Sequence, residues 1–333
     1  MAYYNKSPQN NGDGKNAEDR ALDTFANMMI EKIESLGSKD GWQKPWFTEG
    51  TLSWPKNLSG REYNGMNALL LTMLCEKKGY ELPVFCTFNR AVGLNYQTDK
   101  QGNKKQMVDA NGEPLPKVGI NKGEKSFPVM LTSFTIVHKE TKEKIPYDEY
   151  KRMSAEEQKE YNVYPKLNVY QVFNVAQTNL KEARPELYAK LEAENKPEKA
   201  LVKEGDMYSF PAVDRMFKEQ RWICPINIEH QDNAFYSISR NQITIPEKSQ
   251  FKDGESWYGT AFHEMVHSTG AEDQLNRLKP QSGFGSDEYA REELVAELGS
   301  ALVCQKYGMT KNLKEDSAAY LKSWLGSLKE TPS

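Results

Sequence analysis

His263-Glu264-Met265-Val266-His267 places two imidazoles four residues apart, with a carboxylate beside the first. On a helix such residues share a face, close enough for both rings to bind one zinc ion. Glu264 then points toward the ion's open coordination position. There it takes a proton from metal-bound water and passes it to a leaving amine, the chemistry of a zinc metallopeptidase. The chain has four histidines in 333 residues. A chance match to this pattern is expected in fewer than about 1% of such compositions. The bland alternative is a pair of hydrogen-bonded core histidines.

Two histidines do not complete a site, because catalytic zinc takes three protein ligands and a water. His138 and His230 lie upstream and read as surface residues. A carboxylate from a later helix is the other source. In Tyr289-Ala290-Arg291-Glu292-Glu293-Leu294-Val295-Ala296-Glu297, Leu294, Leu298, Ala301 and Leu302 form an apolar stripe, and Glu293 and Glu297 share a face beside it. That makes Glu293 the expected third ligand and Glu297 the acid that orients a ligand histidine. Glu292 is the alternative ligand, roughly 100° around the helix from Glu293. An ordinary solvated acidic face remains open. Tyr289 and Arg291 are candidates for stabilising an oxyanion. The run Asn241–Pro246 is a short strand that either forms an edge beside the metal helix or belongs to the core.

These residues need elements to hold them. Ser256 to Thr269 reads as a helix stopped by Gly270, and helices are expected near 287–307 and 314–328. Upstream, Met207–Glu219 reads as a helix, and Ala234–Ile238 and Gln242–Ile245 as strands about a turn at Arg240-Asn241. Residues 1–17 lack periodicity and read as a disordered tail. Leu22, Phe25, Ala26, Met29, Ile30 and Ile33 mark a helix from Ala17 to Leu36, and a second runs from Gly65 to Lys78 before Gly79. Phe127–Val137 and Val169–Asn174 are strands. The stretch 97–126 reads as a long loop or mobile hairpin, 139–165 as a charged surface insertion, and Lys181–Lys203 as a charged helix broken near Pro197.

Length predicts two domains. No run is apolar enough to span a membrane or direct secretion. Four scattered cysteines exclude a disulfide framework and point to a reducing cytoplasm. Net charge is −3, yet residues 41–130 carry 12 Lys and Arg against 8 Asp and Glu. A mildly basic N-terminal part beside an acidic remainder is compatible with one nucleic-acid-facing half.

The run Ala261 to Gly270, then Leu275-Asn276-Arg277 and Phe284 to Gly299, resembles the C-terminal domain of antirestriction proteins of the ArdC type. That family extends to the N-terminal part of TraC-type plasmid primases. Trp42-Gln43-Lys44-Pro45-Trp46, Pro55-Lys56-Asn57, Tyr63 to Asn67, Lys122 to Lys125 and Val172 to Gln177 follow in the family's order. The likeness spans about residues 18–308. It implies an α+β protein with a single-stranded-DNA-binding domain over 18–180, a linker helix over 181–205 and a zincin-like metallopeptidase domain over 206–333. It also implies a home on a plasmid or other mobile element and protection of incoming DNA from restriction. Two departures stand out. Ser268 replaces a usual tryptophan, and the stretches 97–117 and 139–165 are longer than usual.

Single-stranded DNA is held by stacking on aromatic rings while cations follow the phosphates. Trp42, Trp46 and Tyr63, interleaved with Lys44, Lys56 and Arg61, fit that scheme, and Lys122 and Lys125 add a basic loop. The competing reading packs these rings into a core. The expected partners are therefore non-specific single-stranded DNA and a protein or peptide substrate, such as a host restriction or defence protein, with Zn2+ as cofactor. The alternative is a non-enzymatic protein that shields DNA from nucleases and uses zinc structurally. The short length argues against primer synthesis.

Overall fold

A computed structural model describes residues 15–36, 46–47, 52–99, 101–196, 202–205, 207–278 and 286–309. Residues 1–14 of the expected tail, the helix near 314–328, and the candidates Trp42 and Lys44 lie outside these residues. No described helix is long and apolar enough to cross a membrane.

The N-terminal half mixes helices and strands. Helix α1 (Ala17–Leu36) buries Ala21, Phe25, Met29, Ile33 and Leu36, the stripe that its three- and four-residue spacing requires. After β1 (Lys56–Asn57), α2 (Gly65–Lys78) buries Leu69, Leu70 and Leu71, and Gly79 ends it at φ 68°. That left-handed conformation suits glycine, whose N–H returns to the last turn. Strand β2 (Val84–Thr87) and helix α3 (Phe88–Gly93) follow, then a hairpin of β3 (Tyr96–Thr98) and β4 (Lys104–Gln106).

Strand β5 (Phe127–His138) leads through β6 (Lys144–Ile145), α4 (Tyr147–Tyr150) and α5 (Ala155–Gln158) into β7 (Tyr161–Asn174). The five-stranded sheet has the order β1-β2-β7-β5-β6. β5 and β7 pair antiparallel from Phe127↔Val172 to His138↔Tyr161. The expected insertion over 139–165 is therefore partly sheet: β7 starts at Tyr161, eight residues before the expected Val169. An aromatic cluster explains the extension. Phe134 stacks on Tyr147 at 4.4 Å, and Tyr161 meets both His138 and Tyr150 edge-on. Those rings are dispersed among charged residues, so the composition hides them.

Helices α6 (Leu180–Ala183) and α7 (Pro185–Glu194) divide at Pro185, which supplies an N1 residue and ends the preceding turn. Leu180, Ala183 and Leu191 pack with Leu82, Val84, Val118 and Val175. The first half of the expected linker helix thus packs on the N-terminal unit.

The C-terminal half opens with a β8 (Val202–Glu204) and β9 (Met207–Ser209) hairpin, where a helix from Met207 is expected. The helix α8 (Pro211–Lys218) begins only at its proline. Strands β10 (Ile226–Glu229), β11 (Phe235–Ser237) and β12 (Gln242–Pro246) form a sheet in the order β10-β12-β11. β12 is consequently central, with Ile243 and Ile245 buried, and is no edge. Its parallel partner β10 has only four residues, too few for a periodicity to show. Helices α9 (Gly254–Ser268) and α10 (Asp287–Lys306) complete the fold.

α10 is shared by two cores. Ala290, Leu294, Leu298, Ala301 and Leu302 pack with Phe25, Trp46 and Leu69 of the N-terminal half, whereas Cys304 packs with Trp257 and Phe262. Each fully buried large apolar side chain contributes about 1.5–3 kcal/mol. The helix is therefore fixed from both sides.

Candidate metal centre

α9 starts at Asp253, whose side chain accepts the Ser256 N–H at 2.7 Å. Trp257, Tyr258, Phe262 and Met265 face the C-terminal core. The Trp257 Nε1–H donates to the Pro246 carbonyl at 2.8 Å and ties the helix to β12. His263, Glu264 and His267 line a cleft of about 250 Å³ on the other side. His263 and Glu264 are buried, 1% and 3% exposed.

α10 delivers the acids. Ser286 caps it by accepting the Tyr289 N–H. It lies so close to α9 that a Cβ on Gly299 would fall 2.8 Å from Val266 Cγ2. Only glycine permits that approach without displacement. Glu293 then meets both histidines: its oxygens lie 3.3 Å from His263 Nε2 and 3.5 Å from His267 Nε2. The two Nε2 atoms are 3.1 Å apart. A tetrahedral ion with bonds of about 2.0–2.1 Å needs neighbouring ligand atoms about 3.3–3.4 Å apart. The donor set and its spacing fit one divalent metal, and His263, His267 and Glu293 form the metal-type cluster found among the described residues.

The expected acids divide their roles by position. Glu297, fully buried, faces His263 Nδ1 with Oε1 at 3.4 Å. That Nδ1 makes no hydrogen bond of normal geometry. Glu292, the alternative ligand, points elsewhere. Its Oε1 lies 3.3 Å from His267 Nδ1, and Arg277 donates to both its oxygens at 3.0 Å. Each imidazole thus turns Nε2 toward the cluster and Nδ1 toward a carboxylate, the arrangement that holds a metal-binding tautomer.

The electrostatics follow. Burial works against charge on His267, but hydrogen bonds to Glu292 and Glu293 overcome it and raise the imidazole to about 9. Burial would also raise the Glu293 carboxyl, yet His263 and His267 hold it far below the usual carboxylate range. Glu292 is likewise lowered, against its burial, by His267 and Arg277.

Arg277 was legible only as part of Leu275-Asn276-Arg277. It also donates to the Val266 carbonyl and Thr269 hydroxyl, so it clamps the end of α9 as well as Glu292. Ser268 is buried away from the cleft and accepts the Trp222 Nε1–H at 2.9 Å. An indole from another element fills the space beside the serine, and the cleft wall is unaffected. That wall is the edge strand β11 with its flanks, Ala234, Phe235, Tyr236 and Ile238; Glu288 and Tyr289 stand opposite. Arg291 is exposed and outside the cleft.

The candidates for DNA contact scatter. Trp46 is fully buried and donates its Nε1–H to Glu297 at 3.1 Å. No base can stack on it. Tyr63 packs edge-on against Phe85, and burial pushes its hydroxyl up to about 12. Lys56 is half-buried, whereas Arg61, Lys122 and Lys125 are exposed. The exposed aromatic residues lie elsewhere. Tyr164 and Tyr170 are 55% and 46% exposed. With Lys166 they occupy alternate positions on one face of β7, opposite Thr135, Val129 and Ser133. A period-two pattern inside a charged stretch was the available signal.

Comparison with known proteins matches residues 211–333 to the zincin-like metallopeptidase family, and residues 19–173 to the N-terminal domain of anti-restriction factor ArdC. Two proteins named DNA primase TraC from Escherichia coli are 28% and 26% identical over 93% and 92% of this chain. The chain spans only 18% and 25% of their length. The uncharacterized protein y4eC of Sinorhizobium fredii (strain NBRC 101917 / NGR234) is 25% identical, over 91% of this chain and 82% of that protein. Crystal structures of antirestriction ArdC protein from the R388 plasmid, metal-free and Mn(II)-bound, align with TM-scores of 0.59 and 0.61. They are 23% identical, over 93% of this chain and 89% of theirs. The fold is shared.

Proposed function

From a chain that joins an ArdC-type N-terminal domain to a zincin-like metallopeptidase domain, we propose a DNA-binding antirestriction-type protein of a mobile element that hydrolyses peptide bonds in the cytoplasm. The convergence of His263, His267 and Glu293 beside a buried Glu264 at one cleft carries this reading. These three residues hold the metal, and two imidazoles with one carboxylate suit zinc better than a harder ion. When bound, the metal polarises water and the substrate carbonyl.

Glu264 holds the proton taken from the attacking water and returns it to the leaving amine. Glu297 and Glu292 keep His263 and His267 in the binding tautomer. An extended peptide pairs with the edge strand β11, which takes the place the sequence offered to β12. A structural metal would need neither an open cleft nor an acid in that position, so hydrolysis is preferred to a purely DNA-shielding role.

For the N-terminal domain, Tyr164 and Tyr170 offer ring faces with Lys166 between them, the combination that non-specific single-stranded DNA uses. Arg61, Lys122 and Lys125 supply further exposed cations. The proposed protein partner is a host restriction or defence protein. The test exposes host proteins to the wild type and to Glu264→Gln, with and without single-stranded DNA. Cleavage by the wild type and none by the variant is expected. Equal cleavage by both, or equal antirestriction protection without cleavage, contradicts the peptidase reading.

A further inference from the structure

Trp46 is separated from Glu297 by 251 positions in sequence, yet its indole N–H reaches the Glu297 Oε2 at 3.1 Å. Both side chains are fully buried. The other oxygen of Glu297 faces His263 Nδ1 at 3.4 Å. We propose that Trp46 is a positioning residue of the metal centre, contributed by the N-terminal half of the chain. This rests on reading His263, His267 and Glu293 as the metal ligands.

The terminal torsion of a glutamate carboxylate is broad and roughly two-fold. The indole donor opposes its rotation by holding Oε2 at 3.1 Å. With Oε2 committed to Trp46, Oε1 is left in place to accept the His263 Nδ1 proton. That proton must reside on Nδ1 when Nε2 binds a metal. A donor to Glu297 also makes the anionic form cheaper to keep in a dry site.

The arrangement has a second consequence. Trp46 and Phe47 share one cluster with Phe25, Leu69 and the outer face of α10. Two further contacts secure the far end of that helix. Lys306 pairs with Glu62 at 2.6 Å, and Gln305 donates to the Leu52 carbonyl at 3.2 Å. The metal site is therefore completed only when the two halves are docked. A displacement of Trp46 reaches His263 through one intervening side chain.

The test uses the full chain and reads metal affinity by chelator competition, together with the visible spectrum of the Co(II)-loaded protein. Trp46→Phe keeps an aromatic ring and removes the donor. It is expected to weaken Zn2+ binding about tenfold, the low end for loss of a residue supporting a metal ligand, and to alter the Co(II) spectrum. Glu297→Gln should weaken binding similarly, and the double variant should add little to it. Phe47→Leu, a packing change in the same cluster, should lower stability and leave affinity unchanged. If Trp46→Phe does not fold, benzothienylalanine at position 46 removes the N–H from an isosteric ring.

Wild-type affinity and spectrum after loss of the donor overturn the proposal, as does an equal loss of affinity in Phe47→Leu. Metal retention by His263→Ala instead overturns the ligand reading beneath it.

Discussion

The α9–α10 pair and the aromatic segment from Trp46 to Tyr63 carry functional residue types in similar density, yet they behave oppositely. In the helix pair His263, Glu264, His267, Glu292 and Glu293 converge on one cleft, with Glu297 behind it and only Arg291 turned away. In the aromatic segment the rings turn inward: Trp46 to Glu297, Tyr63 to Phe85, and Trp54 to the Tyr63 carbonyl. Metal chemistry fixes distances of a few ångströms, so its residues must obey the helical period and leave that period in the sequence. Stacking on an aromatic ring demands only exposure, and exposure is decided by tertiary packing that no local pattern records.

Breaking the helix-pair side should have the largest effect. Glu264→Gln is expected to lower hydrolysis by about 10³-fold, within the range for loss of a general acid–base group, with zinc content unchanged by metal analysis. Loss of zinc in that variant would mean that Glu264 is structural.

The second effect is in pH. His267 in the metal-free protein is raised from 6.5 to about 9, so metal must displace its proton below that value. Apparent affinity should climb by up to about tenfold per pH unit toward pH 9 and then level off, as protons cease to compete. The metal-free fold has the opposite trend. Its stabilisation from charged His267 is full below pH 6.5 and lost as pH rises through about 9. Chelator competition at pH 6 to 9 and melting in EDTA check both signs.

In the N-terminal half the exposed rings should carry the next effect. Tyr164→Ala and Tyr170→Ala should each weaken single-stranded oligonucleotide binding about tenfold by anisotropy, from roughly 1–3 kcal/mol per stacked base. Lys166→Ala should reduce the salt slope by about 1. Arg61→Ala should matter less if the β7 face is the platform, and greater loss at Arg61 would return the interface to the Trp46–Tyr63 region. The smallest effect is structural. Gly299→Ala forces a Cβ toward Val266 and should cost about 1–3 kcal/mol, seen as a melting point several degrees lower.

α1 was readable from its apolar spacing, α2 from an apolar run ending at Gly79, α9 from the spacing of its histidines before Gly270, and α10 from the apolar stripe Leu294, Leu298, Ala301 and Leu302. Long β5 was readable from its alternation. Short elements were not. The four-residue β10 carries no period, yet it converts β12 from a candidate edge into the centre of its sheet. The extension of β7 was concealed because Tyr147, Tyr150 and Tyr161 find each other only after the chain has turned. Glu293 and Glu297 were expected from the spacing of one helix. Which carboxylate faces which nitrogen depended on Gly299 and Arg277, residues whose importance is their contact and not their spacing.

In the proposed centre Glu293, not its neighbour Glu292, joins His263 and His267 at the metal. The most direct test is the zinc dissociation constant of Glu293→Ala beside that of Glu292→Ala, measured on folded, metal-stripped protein. Loss of the ligand should be the larger effect. Glu292→Ala, which removes the support of His267 Nδ1 and the partner of Arg277 but no ligand, should weaken zinc about 10- to 100-fold, and Glu293→Ala should weaken it well beyond that. The reverse order would move the third ligand to Glu292 and contradict the account.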